Sequence, residues 1–407
     1  MGIRKFSNPN AGFVNKFLRA LPFDSTGKGV GPNAVTYLNG LDASGGSISD
    51  YQTPTGTYMR SHIFTGPGTF TVSTLTQDPN MPDHVNFLVV GGGGGGGARQ
   101  GGGGGAGDLK SNHPDMPSPL KMPATVFPVT ATAYPVTVGN GGRGGSGPGA
   151  TYGQGESGSN SVLTHPSAPK TITAPGGGGG GGMDSGPNTP RRNGLGGGSG
   201  GGGGAWASYS GTGGEGTGDG NDGGTGGTTE SGGAKRIAGG GGGAGGAGTS
   251  GAPLLPTNVG APGGAGLPLS ITGITTHYSG GGGGGVYGQA VSSPTRGIGG
   301  SGVGGEGNNT DDQNHPYMQA LESHGGGGGG AGGGPAGGYL GGKGGSGVVV
   351  VNYEVSVTQS AVSKAKATGG EISHYNGNVI HTFREPGTFT VTNPTAVPIS
   401  YIVIAGA

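Results

Sequence analysis

The period of the apolar positions changes along the chain, and the changes divide it into parts. Near the start, Phe13, Phe17 and Leu21 recur at four-residue steps, with Val14 and Leu18 beside them, until Pro22 stops the pattern. This is the stripe of one short amphipathic helix. A helix of that length is not stable alone, so its apolar face is expected to be buried. It packs either on its own chain or on a larger assembly to which residues 1–50 dock.

From His62 the period becomes two. "HIFTGPGTFTV" supplies a Pro-Gly turn and an alternating Thr/Phe/Val strand, a polar loop follows, and Phe87-Leu88-Val89-Val90 reads as an aliphatic strand. The same order returns near the end. His381 matches His62, Phe383 matches Phe64, Pro386 to Val391 match Pro67 to Val72, and Tyr401-Ile402-Val403-Ile404 match the aliphatic strand. Another strand, "GSGVVVVNYEV" (345–355), precedes the second copy. The predicted organisation is a docking segment at 1–50, a glycine-rich domain at 51–355 entered and closed by β-strands, and a C-terminal β unit at 356–407 that repeats 62–91.

Glycine runs fill the interval between the entering and closing strands, from 91–107 through 336–347. They alternate with segments of ordinary turn and strand residues, such as "FPVTATAYPVTV" (127–138) and "LPLSITGITTHYS" (267–279), which a flexible tether has no reason to do. Composition sharpens the question, because 112 Gly and 29 Pro in 407 residues with no collagen-like register would suggest disorder. Charged residues, however, make up only 10 % of the chain, with 20 Lys+Arg against 20 Asp+Glu.

Two uses of the glycines compete. Gly91, Gly93 and Gly96 formally satisfy G-x-G-x-x-G after a strand, but a dinucleotide loop must open a helix, and "ARQGGGGGAGD" disfavours one. Lys28 and Lys343 lack the Ser or Thr that a phosphate loop places after its Lys. The alternative is packing. A glycine chain in the threefold extended helix makes no internal hydrogen bonds, and its N–H and C=O groups point outward to neighbouring helices that only glycine lets come close. Such a lattice needs apolar closures, for which the aliphatic strands and Trp206, Tyr209, Tyr278, Tyr287 and Tyr339 are candidates. Ala interruptions, as in "GGGGGAGGAG" (239–248), would mark faces turned outward or to a layer boundary.

The order "PGTFTV", "FLVVGGGGGGG", "YPVTVGNGGRGGSG" and "GGKGGSGVVVVNY" resembles the glycine-rich domain of bacteriophage virion proteins, especially tail fibres and receptor-binding appendages. The resemblance covers roughly 62–353, with a second, incomplete start at 381–407. It implies a mostly β and irregular fold, a polyglycine II helix sandwich flanked by short β-strands, with the short N-terminal helix added. It implies a structural virion appendage or tail-fibre protein whose loops between polyglycine helices contribute to host attachment. The expected partners are other virion proteins, through the N-terminal segment, a host-surface glycan or outer-membrane protein, and further copies of the chain in a homo-oligomer. A self-assembling extracellular filament or coat subunit is the alternative, and an ice-binding bundle is disfavoured by the bulky loops.

Connections between glycine runs can vary without disturbing a lattice. The least glycine-rich carry Arg191 and Arg192; Trp206 and Tyr209; and Asp311, Asp312, His315 and Tyr317. These suit stacking and hydrogen bonding on a sugar-rich surface, or else Trp206 caps the lattice and the rest are solvated.

Other chemistry finds little footing. "GEGTGDGNDGG" (214–224) resembles a Ca²⁺-binding repeat but occurs once, and the nine His lack paired ligand spacing, so no metal is expected. No nucleophile elbow, HExxH motif or acid/base pair points to an enzyme, and no cofactor is implied. A formal net charge of zero without Lys/Arg runs argues against nucleic acid, and no stretch suits membrane insertion. With no Cys and no secretory leader, the chain is expected to be made in a host cytoplasm and to end in a virion, or otherwise outside the cell.

Overall fold

The computed structural model describes residues 39–404 except 83, 148–152, 187–188, 208, 229–234, 252–258, 289–295, 310–315, 334–339, 361–364, 366, 376–377, 384–385 and 393–398. The expected helix bearing Phe13, Val14, Phe17, Leu18 and Leu21 lies outside the described residues. Among the described residues of the first half are nine strands: β1 (Asp42–Ser44), β2 (Ser47–Gln52), β3 (Tyr58–Phe64), β4 (Gly68–Thr74), β5 (Asn86–Val90), β6 (Leu109–Ser111), β7 (Ala133–Thr137), β8 (Ser161–Leu163) and β9 (Ile172–Ala174). They form two antiparallel sheets, one in the order β1-β4-β7-β8-β9. The other runs Asn378–Thr382, Glu371–Tyr375, β2, β3, Val348–Glu354, β5, β6.

The strand that closes the glycine region thus sits inside the larger sheet, between β3 and β5, with Val349 opposite Phe64 on one side and Val348 opposite Val90 on the other. Its unbroken valine run follows from burial on both faces. Val349, Val351 and Tyr353 face the smaller sheet and share a core with Phe64, Phe70, Phe87, Val89, Tyr134 and Leu163. Val348 and Val350 face the other way, onto Leu88, Val90, Leu109 and the hairpin residues Leu269, Ile271 and Tyr278.

His62 lies within the first of these cores. One ring nitrogen, Nδ1, is 2.6 Å from the Gly45 carbonyl and Nε2 is 2.9 Å from the Tyr353 hydroxyl. A carbonyl can only accept, so Nδ1–H donates and the neutral ring accepts from Tyr353 at Nε2. Burial pushes the His62 pKa down to about 4, with the Gly45 bond opposing.

The glycine runs grow directly out of the sheets. The β5–β6 ladder continues as Gly91 N–H to Asp108 O, Gly94 to Gly105 and Gly97 to Gly102, and the pairing of β5 with the closing strand continues as Gly93 to Gly345 and Gly96 to Gly342, all at 2.8–3.0 Å. The third set of donors, Gly92, Gly95 and Ala98, bonds to Ser159, Glu156 and Gly153, in the run leading into β8. Each partner run is therefore met every third residue, as a threefold helix requires. The carbonyls behave alike, because Gly92 and Gly95 accept from Gly177 and Gly180, Gly93 and Gly96 from Gly142 and Gly145, and Gly94 and Gly97 from Gly328 and Ala331. Run 91–98 is thus surrounded by six others and spends no hydrogen bond on itself. The mostly β and irregular fold with a polyglycine II sandwich is the observed one.

The glycines inside the lattice are required by space, since none of residues 91–97 has a positive φ. A Cβ at Gly93 would fall on the Gly326 carbonyl, one at Gly94 on Gly178 and one at Gly95 on Arg143. Edge runs relax this on one face. In "GNGGRGGSG" (139–147), Asn140, Arg143 and Ser146 are exposed, and in "GGKGGSG" (341–347) Lys343 and Ser346 face outward. A local three-residue register therefore marks lattice edges, although the whole chain shows none. Buried Ala residues mark layer boundaries, where Ala244 packs on Leu269 and Tyr278, and Ala331 on Met318. Ala247 faces solvent.

Two outcomes follow. Gly93→Ala is expected to destabilise the chain by about 3 kcal/mol, because a backbone clash has no rotamer to relieve it, whereas Gly66→Ala, with nothing within 4 Å of the added carbon, leaves the melting temperature unchanged. Thermal unfolding of the two variants checks this. For His62, the unfolded ring titrates near 6.5 and the folded one near 4, so the unfolded state binds more protons between these values. The contribution is full above pH 6.5 and falls as pH drops to 4, by roughly 2–4 kcal/mol. Denaturant melts at several pH values should show this slope in the wild type, and its loss in His62→Phe.

Candidate functional site

The runs turn at two ends. One end carries the sheets, and at the other Ala98, Arg99 and Gln100 reverse the chain between the runs 91–97 and 101–108, with Arg99 and Gln100 at φ 37° and 53°. Gln100 is fully buried and ties neighbouring segments together. Its N–H donates to Gly332 O at 3.1 Å, its carbonyl accepts from Ala205 N–H at 3.0 Å, and its side-chain oxygen accepts from Arg236 at 3.0 Å.

Aromatic and arginine side chains gather around this turn. Ala205–Trp206 pairs with Tyr209–Ser210 as a tight hairpin, and Lys235–Ile237 pairs with Val286–Gly288 so that Arg236 stands opposite Tyr287. The Arg236 guanidinium lies 4.2 Å from the Trp206 ring centre and 4.7 Å from that of Tyr287, clamped between two π faces. Arg99 stands 5.9 Å from the Trp206 ring centre, and Arg192 is 5.0 Å from that of Tyr209. Below, Trp206 packs on Ala98 and Met183. Burial lowers the Arg236 pKa from the usual guanidinium value; Tyr287 opposes this and Arg99 adds to it. The group stays a cation. The result is a strip of arginines and aromatic rings at the distal end.

The sequence-derived candidates fall into distinct places. Arg192, Trp206 and Tyr209 are brought together. Arg192, at 3 % exposure, is not a surface group, because its Nη1 donates to Asp184 O at 2.7 Å and to Gly186 O at 2.6 Å, closing the turn beneath it. Trp206 is half-buried with one face taken by Arg236, whereas Arg191 and Tyr209 are exposed. Tyr317 is 64 % exposed on the turn Pro316–Met318, and its carbonyl accepts from Glu306. Asp311, Asp312 and His315 lie outside the described residues. Sequence reasoning missed Arg99, Gln100 and Arg236, whose signal was that "ARQ" and "KRI" are brief polar interruptions next to long glycine runs.

The chemistry read from other motifs meets the same lattice. The N–H groups of Gly91, Gly93 and Gly96 are bonded to Asp108, Gly345 and Gly342, so they form no phosphate cradle. In the acidic segment 214–224, Asp219 pairs with Lys110 at 2.6 Å and Asp222 accepts from Gly216 N–H at 2.8 Å. Among the described residues no three His, Asp or Glu side chains gather as metal ligands, and no helix is long and apolar enough to cross a membrane.

Residues 65–354 match the glycine-rich domain family, most of the chain, and the protein belongs to that family. No curated protein matches it.

Trp206 is the single tryptophan and reports on this strip. Arg236→Ala is expected to uncover its ring, raising acrylamide quenching and lowering stability by about 1–2 kcal/mol, while Arg191→Ala leaves both unchanged. Fluorescence quenching and thermal melts of the two variants check this.

Proposed function

We propose that this member of the glycine-rich domain family is a structural subunit of a bacteriophage virion appendage or tail fibre, with the distal end of its lattice turned toward a host surface. The observation that carries the reading is a lattice bonded through its backbone in six directions that ends in a strip of arginines and aromatic rings. Such a body is a stiff spacer that depends on no disulfide, and the family resemblance of the flanking strands points the same way. Within the strip, Arg236 and Arg192 hold the rings of Trp206, Tyr287 and Tyr209 in place, while exposed Arg191 and Tyr209, and Tyr317 on its own turn, offer donors and ring surface to a glycan or an outer-membrane protein. The N-terminal segment ahead of β1 then docks onto other virion proteins.

The extracellular filament or coat subunit remains a second reading, favoured by the sheet-ending strand Asn378–Thr382. The two readings differ in where the chain is found. Particles purified on a density gradient from an infected culture should contain it, with antibody labelling confined to the appendage. Its absence from particles, or its recovery as free filaments, would overturn the first reading. Loss of both exposed distal groups in Arg191→Ala/Tyr209→Ala should lower adsorption to cells by roughly tenfold without changing the melting temperature.

A further inference from the structure

A lysine and two carboxylates meet where the larger sheet passes into the lattice. The Lys110 Nζ lies 2.9 Å from Asp108 Oδ2 and 2.6 Å from Asp219 Oδ2. Each member is held by backbone bonds. Lys110 is on β6, opposite Val89. The Asp108 carbonyl accepts from Gly91 N–H, and its Oδ1 accepts from Leu109 N–H. Asp219 sits on a turn between two glycine runs, and that turn is pinned by Thr217 N–H on the Gly197 carbonyl and by Gly216 N–H on Asp222 Oδ1. Gly218, at φ 69°, lets the turn close over the lysine, because a Cβ there would stand 3.4 Å from Nζ and 3.7 Å from Asp108 Oδ2.

The three groups are unequally placed. The side chains of Asp108, Lys110 and Asp219 are 2 %, 18 % and 35 % exposed. Burial raises the Asp108 pKa above the ordinary carboxylate value, with the bond from Lys110 opposing, so this acid takes up a proton more readily than an exposed one. Burial pulls the Lys110 pKa down, but the bonds to Asp219 and Asp108 outweigh it and leave it raised. An amine in contact with one acid, beside a second acid that can carry protons in a dry place, is the arrangement that amide condensation requires.

We propose that Lys110 and Asp219 join in an intramolecular amide, with Asp108 moving the protons. The Lys110 ammonium passes one proton through Asp108 to Asp219, which leaves a neutral amine against a neutral acid. The Nζ lone pair then forms a bond to Asp219 Cγ. Asp108 takes a second proton from the nitrogen and delivers it to the hydroxyl on Cγ; the Cγ–O bond breaks and water leaves. One ammonium and one carboxylate become one amide and one water, Asp108 ends as it began, and no oxidant or co-reactant enters. The fold has already met the entropic cost of bringing amine and acid together, and well-oriented intramolecular pairs react as though at about 10⁵–10⁸ M. The bond ties β6 to a turn 109 residues further along the chain, and the loop it closes contains β7, β8 and β9. In a chain with no Cys it takes the place of a disulfide, constraining the unfolded state. This inference stands independently of the proposed virion role.

Mass spectrometry of the purified full chain tests it. The wild type is expected about 18 Da, one water, below the mass of its sequence, and a proteolytic digest should contain a branched peptide joining residues 110 and 219. Lys110→Arg keeps a cation between the carboxylates but does not condense, and should show its full mass. Asp108→Asn, which cannot carry the protons, should stay largely unlinked although both partners remain. Asp219-Gly220 and Asp222-Gly223 can also lose water by closing to a succinimide, a ring that mild base opens while an amide survives. A wild type at full mass, a water loss that mild base reverses, a water loss that persists in Lys110→Arg, or a link that is complete in Asp108→Asn would each overturn the proposal. The wild-type mass and branched peptide decide the link by themselves, so the test holds even where a variant does not fold.

Discussion

Everything in this fold depends on one constraint, that a backbone stripped of side chains must find all its hydrogen-bond partners on other segments. Ordering a glycine costs on the order of 1–2 kcal/mol, and a backbone hydrogen bond returns a net of only about 0.5–1.5 kcal/mol. A lattice of such bonds is therefore close to neutral by itself. The two sheets supply what it lacks. Their ladders run without interruption into the bonds of Gly91 with Asp108 and of Gly93 with Gly345, so the first residues of several helices enter already spaced and in register. The apolar cores that hold Val348–Glu354 between β3 and β5 stabilise the glycine region from outside it.

The same constraint decides where chemistry can occur. Inside the lattice a side chain has no room, and at its edges only every third position is open, as Asn140, Arg143 and Ser146 show. Large groups are left to the turns. At the sheet end they are spent on cores, as with Tyr278. At the distal end they meet one another, and burying the charge of Arg236 is tolerable because Gln100, Trp206 and Tyr287 surround it with an acceptor and two π faces. Large side chains, on this fold, belong to turns that the lattice holds at fixed separations.

How much of this was legible in the sequence depends on how distinctive each segment is. The alternating strands of the two β units, the aliphatic strands at 87–90 and 348–351, and the packing role of the glycines could be read because alternation and glycine geometry admit few alternatives, whereas Tyr401–Ile404, expected as a strand, lies outside every sheet. Which run lies beside which could not, since one glycine run is interchangeable with another as a partner and pairing is set by turn length and by the sheets. The burial of Arg192 was hidden for the same reason. Its neighbour Arg191 is identical in type and exposed, and what separates them is that Arg192 reaches the carbonyls of Asp184 and Gly186.

The duplicated β unit separates what a local sequence encodes from what its context adds. His62 with Phe70 and His381 with Phe389 adopt one geometry in two settings, so the register, the glycine turn and the edge-to-face contact are properties of the unit. Burial is not. It comes from the glycine domain threaded through the first copy, whose last strand returns to lie beside β3. A single alternation of Thr, Phe and Val thus specifies half of a sandwich, and a strand from elsewhere must complete it. In the first copy that strand arrives from the far end of the glycine domain, which couples completion of the core to completion of the lattice.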